Sequence, residues 1–366
     1  MVTETTLEIN LSALKKNFLF VKSKLTSETL LLAVVKAFGY GSDAIEVAKF
    51  LEELGVDYFA VAYVSEGVEL RNAGVKSPIL VLHPQVSNLK KAVKFNLEPS
   101  LYSDRILEAF TGLSAKLGLK NYPVHIKFNT GLNRLGFPHE SSGLIAKNLL
   151  QIKSLKIKSI FSHLAASEDL NEKSFTKLQI EAFDKASKSF SLSYGEMPIR
   201  HLNNTSGVLN FPNANYEMVR CGIGLYGFDN NSKKNTFLRP VVSLKTIISQ
   251  IHKIKKGESV GYNRAFFADE VKKIATLPLG HADGIDRKYG NGVGRVIIGG
   301  AVAPIVGNVC MDMIMVDVSN IDCSEGDEVV VFDETTTAQD LSEKAETISY
   351  ELLTAISKRI KRSIVK

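Results

Sequence analysis

The stretch AVVKAFGYG, residues 33–41, sets a lysine at the end of an alanine and valine run and follows it with a glycine-rich turn. Lysine is among the residues least often fully buried. At the mouth of a hydrophobic strand, Lys36 therefore needs either an exit to solvent or a chemical role. Seven further apolar runs follow: DYFAVAY, SPILVLH, LEPSLYS, YPVHIKF, LKIKSIFSH, PIRHLNN and YEMVRCGIG. Between them lie amphipathic stretches of helical length, residues 43–54 and 171–190 among them. Such alternation predicts parallel βαβ units, and eight of them favour a closed (β/α)8 barrel of the TIM type over an open sheet. LEPSLYS is the weakest run, because its Pro99 favours an edge or a turn.

Near Asp229 the texture changes. FDNNSKKNTF, residues 228–237, is polar and reads as a linker. Beyond it come β-rich stretches punctuated by glycine and asparagine turns. The fold class expected is thus α/β, with an N-terminal barrel and a C-terminal mostly-β domain. Residues 1–10 are expected to form a strand packing with the C-terminal domain, 11–235 the barrel, and 236–366 the β domain. A last amphipathic helix is expected around residues 349–360. The 366-residue length itself suggests two domains.

Composition narrows the function classes. The apolar fraction of 45% is ordinary and the net charge of +6 is modest. The densest basic stretch, SKRIKRSIVK at the C-terminus, reads as a solvated face rather than a nucleic-acid contact. Cys221, Cys310 and Cys323 have no metal-ligand spacing and suit a reducing compartment. No segment approaches ~18 uninterrupted apolar residues, and the polar start MVTETTLEIN is not a signal peptide. A cytoplasmic protein, engaging neither membrane nor nucleic acid, is expected. CGIGLYG formally matches G-x-G-x-x-G, but it sits at the eighth run and leads into FDNNSKKN rather than a helix, so a dinucleotide fingerprint is rejected. Asn291-Gly292 reads as a hairpin turn between β runs.

In a barrel, the residues at the C-terminal strand ends share the catalytic face. Here they would be Lys36, His83, Tyr102, Arg134, His163, Asn203, Asn204 and Arg220. Together they describe a cleft for an anionic ligand, with no paired carboxylates and no metal cluster. A lysine beside other cations loses its proton more easily and becomes a nucleophile, which suggests Schiff-base chemistry.

AVVKAFGYG, FNTGLNRLGF, FSHLA, RHLNNTSG, RCGIGLYG, SVGYNRAF, GNVCMDMIMVDV and TISYELLTAISKRIKR, in this order along the whole chain, resemble the alanine racemase family. The resemblance implies a pyridoxal 5'-phosphate enzyme that interconverts L-alanine and D-alanine by two bases and supplies D-alanine for peptidoglycan precursors. It implies a homodimer with shared active sites. Lys36 matches the lysine that holds the cofactor as an internal aldimine. Tyr262 matches the base on the opposite face, supplied by the partner subunit. Arg220 matches the arginine facing the pyridine nitrogen; as a pure donor it would keep that nitrogen unprotonated and favour reprotonation over transamination. His163 falls against the ring, His201 beside Arg220, and Asn204 near the cofactor. Tyr40, Thr205, Gly222, Ile223 and Tyr350 match the phosphate site. Arg134 and the backbone N–H of Met311 match the carboxylate site, with Asp312 nearby and Met311 and Asp312 from the partner. Lys127, which braces Arg134, matches a lysine often carbamylated in the family.

Two positions depart from the pattern. Asn129 stands where aspartate is usual, removing a charge near Arg134, and His281 stands where a channel tyrosine is usual. A broader racemase, a non-catalytic cofactor carrier and a decarboxylase of similar architecture are the alternatives. The carrier leaves Tyr262, Met311 and the β domain without a role.

Overall fold

The computed structural model describes residues 4–229 and 237–366. The central part of the expected linker, residues 230–236, lies outside the described residues, as do residues 1–3.

The first strand, β1 (Thr6–Asn10), leads directly into the helix Leu11–Lys22, whose start Asn10 caps by accepting from the Ala13 N–H at 2.9 Å. Eight parallel strands then form the barrel wall: β2 (Leu30–Val34), β3 (Tyr58–Val61), β4 (Ile79–Val81), β5 (Glu98–Leu101), β6 (Tyr122–Asn129), β7 (Leu155–Phe161), β8 (Ile199–His201) and β9 (Met218–Cys221). They are hydrogen-bonded in the order β9-β2-β3-β4-β5-β6-β7-β8. An Arg220 N–H donating to the Asn203 carbonyl at 3.0 Å draws the two ends of that path together. Strands covered on both faces should read as continuous apolar runs, and all eight quoted runs fall on these strands. LEPSLYS is among them: Pro99 sits opposite Val81 in parallel register. The helix expected over 43–54 runs Ala44–Glu53, capped by Asp43, with Val47, Ala48 and Leu51 buried.

The second half builds an antiparallel sheet from β10 (Val242–Ile247), β11 (Gln250–Ile254), β12 (Lys272–Leu277), β13 (Arg295–Ile298), β14 (Ala301–Val306), β15 (Ile314–Asp317) and β16 (Glu328–Phe332). β1 joins this sheet, antiparallel to β10 with Thr6 opposite Lys245. On its other side β1 pairs in parallel with β17 (Lys361–Val365). One buried apolar cluster runs from Leu7 through the β2–β4 side of the barrel to Val316 and Phe332, and a second fills the β5–β8 side.

Three expectations are corrected. The last helix spans Ser349–Ala355 and stops there, because residues 361–365 pair with β1 as a strand. The basic tail is accordingly a clasp as well as a solvated face, with Lys358, Arg359 and Lys361 exposed. Arg359 grips the Asp283 carboxylate through Nε and Nη2 at 2.5 and 2.9 Å, while Arg362 donates to the carbonyls of Gly41, Ser42, Ile356, Ser357 and Ile360. Finally, Asn291-Gly292 turns the chain after a short 3-10 segment, and the β13–β14 hairpin uses Gly299-Gly300 instead.

Candidate functional site

Lys36 follows β2, and the chain there does something unusual. Ala37, Phe38, Gly39, Tyr40 and Gly41 all have positive φ, between 53° and 81°. Left-handed backbone costs roughly 1–2 kcal/mol for each residue with a side chain, so the surroundings must hold the turn. Glu66 accepts from the Ala37 N–H at 2.6 Å while its other oxygen takes the N–H groups of Ala62 and Tyr63. From the opposite side Arg362 binds the Gly41 carbonyl, and Lys358 and Arg362 lie over the Phe38 ring at 4.4 and 5.5 Å. The turn reverses the chain within one coil, so Lys36 and Tyr40 both face the same cleft.

That cleft, of about 620 Å³, opens at the C-terminal ends of the barrel strands. Lys36, Lys127, Arg134, His163 and Arg220 supply its basic wall. Tyr40, Asn204, Thr205, Gly222, Ile223 and Tyr350 line it as well, and Phe161 and Val34 give it apolar surface. Crowded cations lower one another's affinity for protons. Burial, then Arg134, pulls the Lys36 amine below its usual range, against an opposing pull from Glu66. Burial and the cations Arg134, Arg220 and Lys36 bring Lys127 down to about 8. His163 is held well below the ordinary imidazole range by burial and by Arg220, which keeps it neutral.

Arg220 is buried, and both of its terminal nitrogens are engaged by protein acceptors, which leaves its Nε–H for the cleft. Nη1 donates to His201 Nδ1 at 2.8 Å and to the His201 carbonyl at 2.9 Å; Nη2 reaches the carbonyls of Ser162 and Leu202 and His163 Nδ1. His201 therefore lies beneath Arg220 rather than in the cleft, stacked on Phe161 at 4.7 Å.

At one end of the cleft, hydroxyls and backbone N–H groups converge. The 3-10 turn Ile223–Tyr226 presents its first N–H groups, which have no partner within the turn. A Cβ on Gly222 would overlap the Tyr40 hydroxyl, and one on Gly224 would overlap the Thr205 methyl, so glycine at both positions lets the two side chains close against the backbone. Thr205 Oγ1 accepts from the Gly224 N–H at 3.2 Å. The rings of Tyr226 and Tyr350 pack on Tyr40 at 4.7 and 5.7 Å. Burial raises the Tyr40 phenol well above its ordinary pKa, leaving it a neutral donor. No α-helix opens after Gly222, in keeping with the rejection of the dinucleotide fingerprint.

Other expected residues are elsewhere. Tyr262 and Met311 stand on the β domain, 72% and 62% exposed, and Asp312 is exposed beside Met311. None of the three lines the cleft of its own chain. Of the remaining strand-end residues, His83 borders the cleft, whereas Tyr102 donates to the Pro84 carbonyl and Asn203 is buried against Phe211 and Asn215. Asn129 does not simply remove a charge: its carbonyl oxygen accepts from the N–H groups of Gly131 and Asn133, and its amide donates to the Asn133 side chain. It fastens the loop that carries Arg134. His281 lines a separate pocket of about 190 Å³ with Tyr289 and Glu351. Sequence reading missed Glu66, Arg362 and the polar floor made by Glu98, His125 and Ser159. A histidine inside YPVHIKF, facing the interior of an apolar strand, was the signal available.

Comparison with known proteins matches both halves. The family model described as alanine racemase, N-terminal domain, covers residues 9–230, and that described as alanine racemase, C-terminal domain, covers 241–364. An alanine racemase of Halothermothrix orenii is 38% identical over 364 residues, covering 97% of this chain and 95% of its own. Among solved structures, an alanine racemase of Clostridium difficile 630 superposes with a TM-score of 0.93 at 33% identity, covering all of this chain and 96% of the other. One from Bartonella henselae, with covalently bound pyridoxal phosphate, gives 0.90 at 29% identity with both chains fully covered.

Proposed function

The chain belongs to the alanine racemase family, and from that premise we propose how its residues divide the work. It is an isomerase that interconverts L-alanine and D-alanine with pyridoxal phosphate. The cleft fits that cofactor: a glycine-backed hydroxyl cradle for the phosphate, a lysine for the aldehyde, and a buried donor for the ring. When bound, the cofactor withdraws electrons from the substrate carbon and so acidifies its Cα–H bond.

Tyr40, Thr205, Tyr350 and the N–H groups of Gly222 and Ile223 hold the phosphate. Lys36 would hold the cofactor through its amine, and that amine would hold or move a proton at Nζ on one face of the substrate carbon. Burial among cations keeps that amine easier to deprotonate than an exposed lysine. Arg220 can only donate, so facing the ring nitrogen it would favour an unprotonated ring, a weaker electron sink that would favour returning a proton to Cα. His163 and Asn204 pack beside the ring.

Inversion at carbon needs a second base on the opposite face. We propose Tyr262 of the partner subunit, because this chain leaves its own Tyr262 exposed and outside its own cleft. The Met311 N–H of the partner subunit completes the carboxylate site with Arg134, and Asp312 of the partner subunit lies nearby. In this reading residues 237–366 build the face of a homodimer, and the strand Thr6–Asn10 anchors the barrel to that domain. As a free amine Lys127 is a like-charged neighbour of Arg134; its lowered pKa suits addition of CO2 to the neutral amine with loss of a proton, and the anion so formed would brace Arg134. Among the described residues no helix is long and apolar enough to cross a membrane. We place the enzyme in the cytoplasm, feeding D-alanine to peptidoglycan precursors.

One observation carries the assignment: an amine, an arginine donor and a glycine-backed hydroxyl cradle share one barrel-mouth cleft. Incubating each alanine enantiomer with the enzyme in deuterated water, and scoring α-exchange and product chirality, tests it. Deuterated alanine of both hands is expected from either enantiomer. Exchange with retained configuration, or loss of CO2, would overturn it.

A further inference from the structure

Among the described residues, Arg220 is a buried cation that touches no carboxylate. Isolated charge in such a place is costly, and the barrel interior holds a chain of polar groups leading away from it. His201 Nε2 lies 2.7 Å from Ser159 Oγ, Ser159 Oγ lies 2.6 Å from His125 Nδ1, and His125 Nε2 lies 2.8 Å from Glu98 Oε2. His125, Ser159 and His201 are wholly buried. Register makes the contacts direct, since His125 on β6 stands opposite Ser159 on β7.

The two ends determine where every proton sits. Arginine can only donate and an ionised carboxylate can only accept. His201 Nδ1 must accept from Arg220, which puts its proton on Nε2, pointing at Ser159. Ser159 then gives its own proton to His125 Nδ1, and His125 gives the proton on Nε2 to Glu98. Were His125 doubly protonated, Ser159 would receive from both rings and its hydroxyl proton would have no acceptor among the described contacts. The neutral arrangement uses every donor and every acceptor. Burial and Arg220 also hold His201 well below the usual imidazole range. Glu98 shares its surroundings with the Tyr58 hydroxyl at 3.3 Å and lies near Arg71 and Tyr122.

We infer that Glu98, at the barrel floor, is the remote counter-charge of Arg220, joined to it by a one-way chain of donors through His201, Ser159 and His125. These are positioning residues: they fix the guanidinium's orientation and pass part of a negative charge to it, because aligned hydrogen bonds in a low-dielectric interior polarise one another. The effect on catalysis rests on the reading that Arg220 faces the cofactor ring. The direction of the chain does not.

Long-range 15N spectra of the histidine rings, in the full-length enzyme as isolated, test the direction. His125 and His201 should each carry one proton, on Nε2. An imidazolium at either position, or His201 protonated on Nδ1, overturns the chain. Glu98→Gln keeps the acceptor for His125 and removes only the charge; kcat should fall about tenfold with KM within about twofold. Ser159→Ala breaks the chain in the middle and should cost about as much, with the double variant no worse than either single one. Parental kcat in Glu98→Gln, or additive losses, overturns the inference. Arg220→Lys separates it from the reading beneath: if that variant keeps parental kcat, the role given to Arg220 fails. If Arg220→Lys is impaired while Glu98→Gln is not, only the counter-charge role fails.

Discussion

The barrel mouth and the β-domain edge hold the two halves of the proposed chemistry in opposite physical states. Around Lys36 the fold determines everything: a left-handed turn clamped by Glu66 and Arg362, a buried Arg220, and glycines that admit no side chain. Around Tyr262 the fold supplies a perch and leaves the phenol in solvent. Side chains that act by proton transfer need an environment that tunes their pKa. Lys36 has such an environment within its own chain, whereas Tyr262 stands in solvent there. The difference suggests that cofactor capture is a property of the protomer and inversion a property of the dimer.

The sharpest way to break that contrast is to disable each half separately. Lys36→Ala should lose the cofactor linkage and at least about 10³-fold in racemisation, the upper part of the range for losing a positioned base. Borohydride reduction followed by mass analysis checks it; a reduced adduct still formed by the variant would refute the assignment. Tyr262→Phe should keep the adduct but slow proton abstraction from one enantiomer by about 10²-fold or more relative to the other. Equal loss on both would sink the two-base reading. Mixing the two inactive variants and letting protomers exchange should then restore about a quarter of parental activity, because each hybrid dimer regains one intact site under two-fold symmetry. No recovery, with hybrids present, would show that both bases come from one chain.

The same contrast explains what the sequence disclosed. Barrel strands are legible because burial on both faces writes continuous apolar runs, and the strand-end residues inherit their location from those runs. LEPSLYS was weak only because Pro99 disfavours a strand locally, whereas the barrel supplies neighbours on both sides. Nonlocal features were illegible. SKRIKRSIVK looks like a solvated helix end until β1, more than 350 residues earlier, offers it an edge. The left-handed turn uses Ala37, Phe38 and Tyr40, residue types that do not announce positive φ. Glu98, His125, Ser159 and His201 come from four neighbouring strands, and only the parallel pairing of those strands lines them up.

Within the buried half, the cradle offers a smaller effect. Gly222→Ala places a methyl against the Tyr40 hydroxyl, which cannot retreat far because Tyr226 and Tyr350 pack on its ring. Overpacking of this kind costs about 1–3 kcal/mol, expected here as weaker cofactor retention on dialysis rather than as a change in the exchange ratio between enantiomers. An unaltered cofactor affinity would mean that the phosphate is held elsewhere.

Asn129→Asp should have the smallest effect and the most instructive sign. Restoring the carboxylate keeps the acceptor for the Gly131 and Asn133 N–H groups, but it sets two oxygens against each other where the amide now donates to Asn133 at 2.8 Å. Losing that hydrogen bond costs about 0.5–1.5 kcal/mol, partly offset by attraction to Arg134. The loop should loosen slightly and KM for alanine shift by less than about fivefold, with kcat unchanged because neither base is touched. Pairing the change with Asn133→Ser removes the clash; if KM then falls below the parental value, the charge at residue 129 tunes carboxylate binding. A KM that still follows loop stability would show that Asn129 serves the protomer's architecture, as the buried half of the site does throughout.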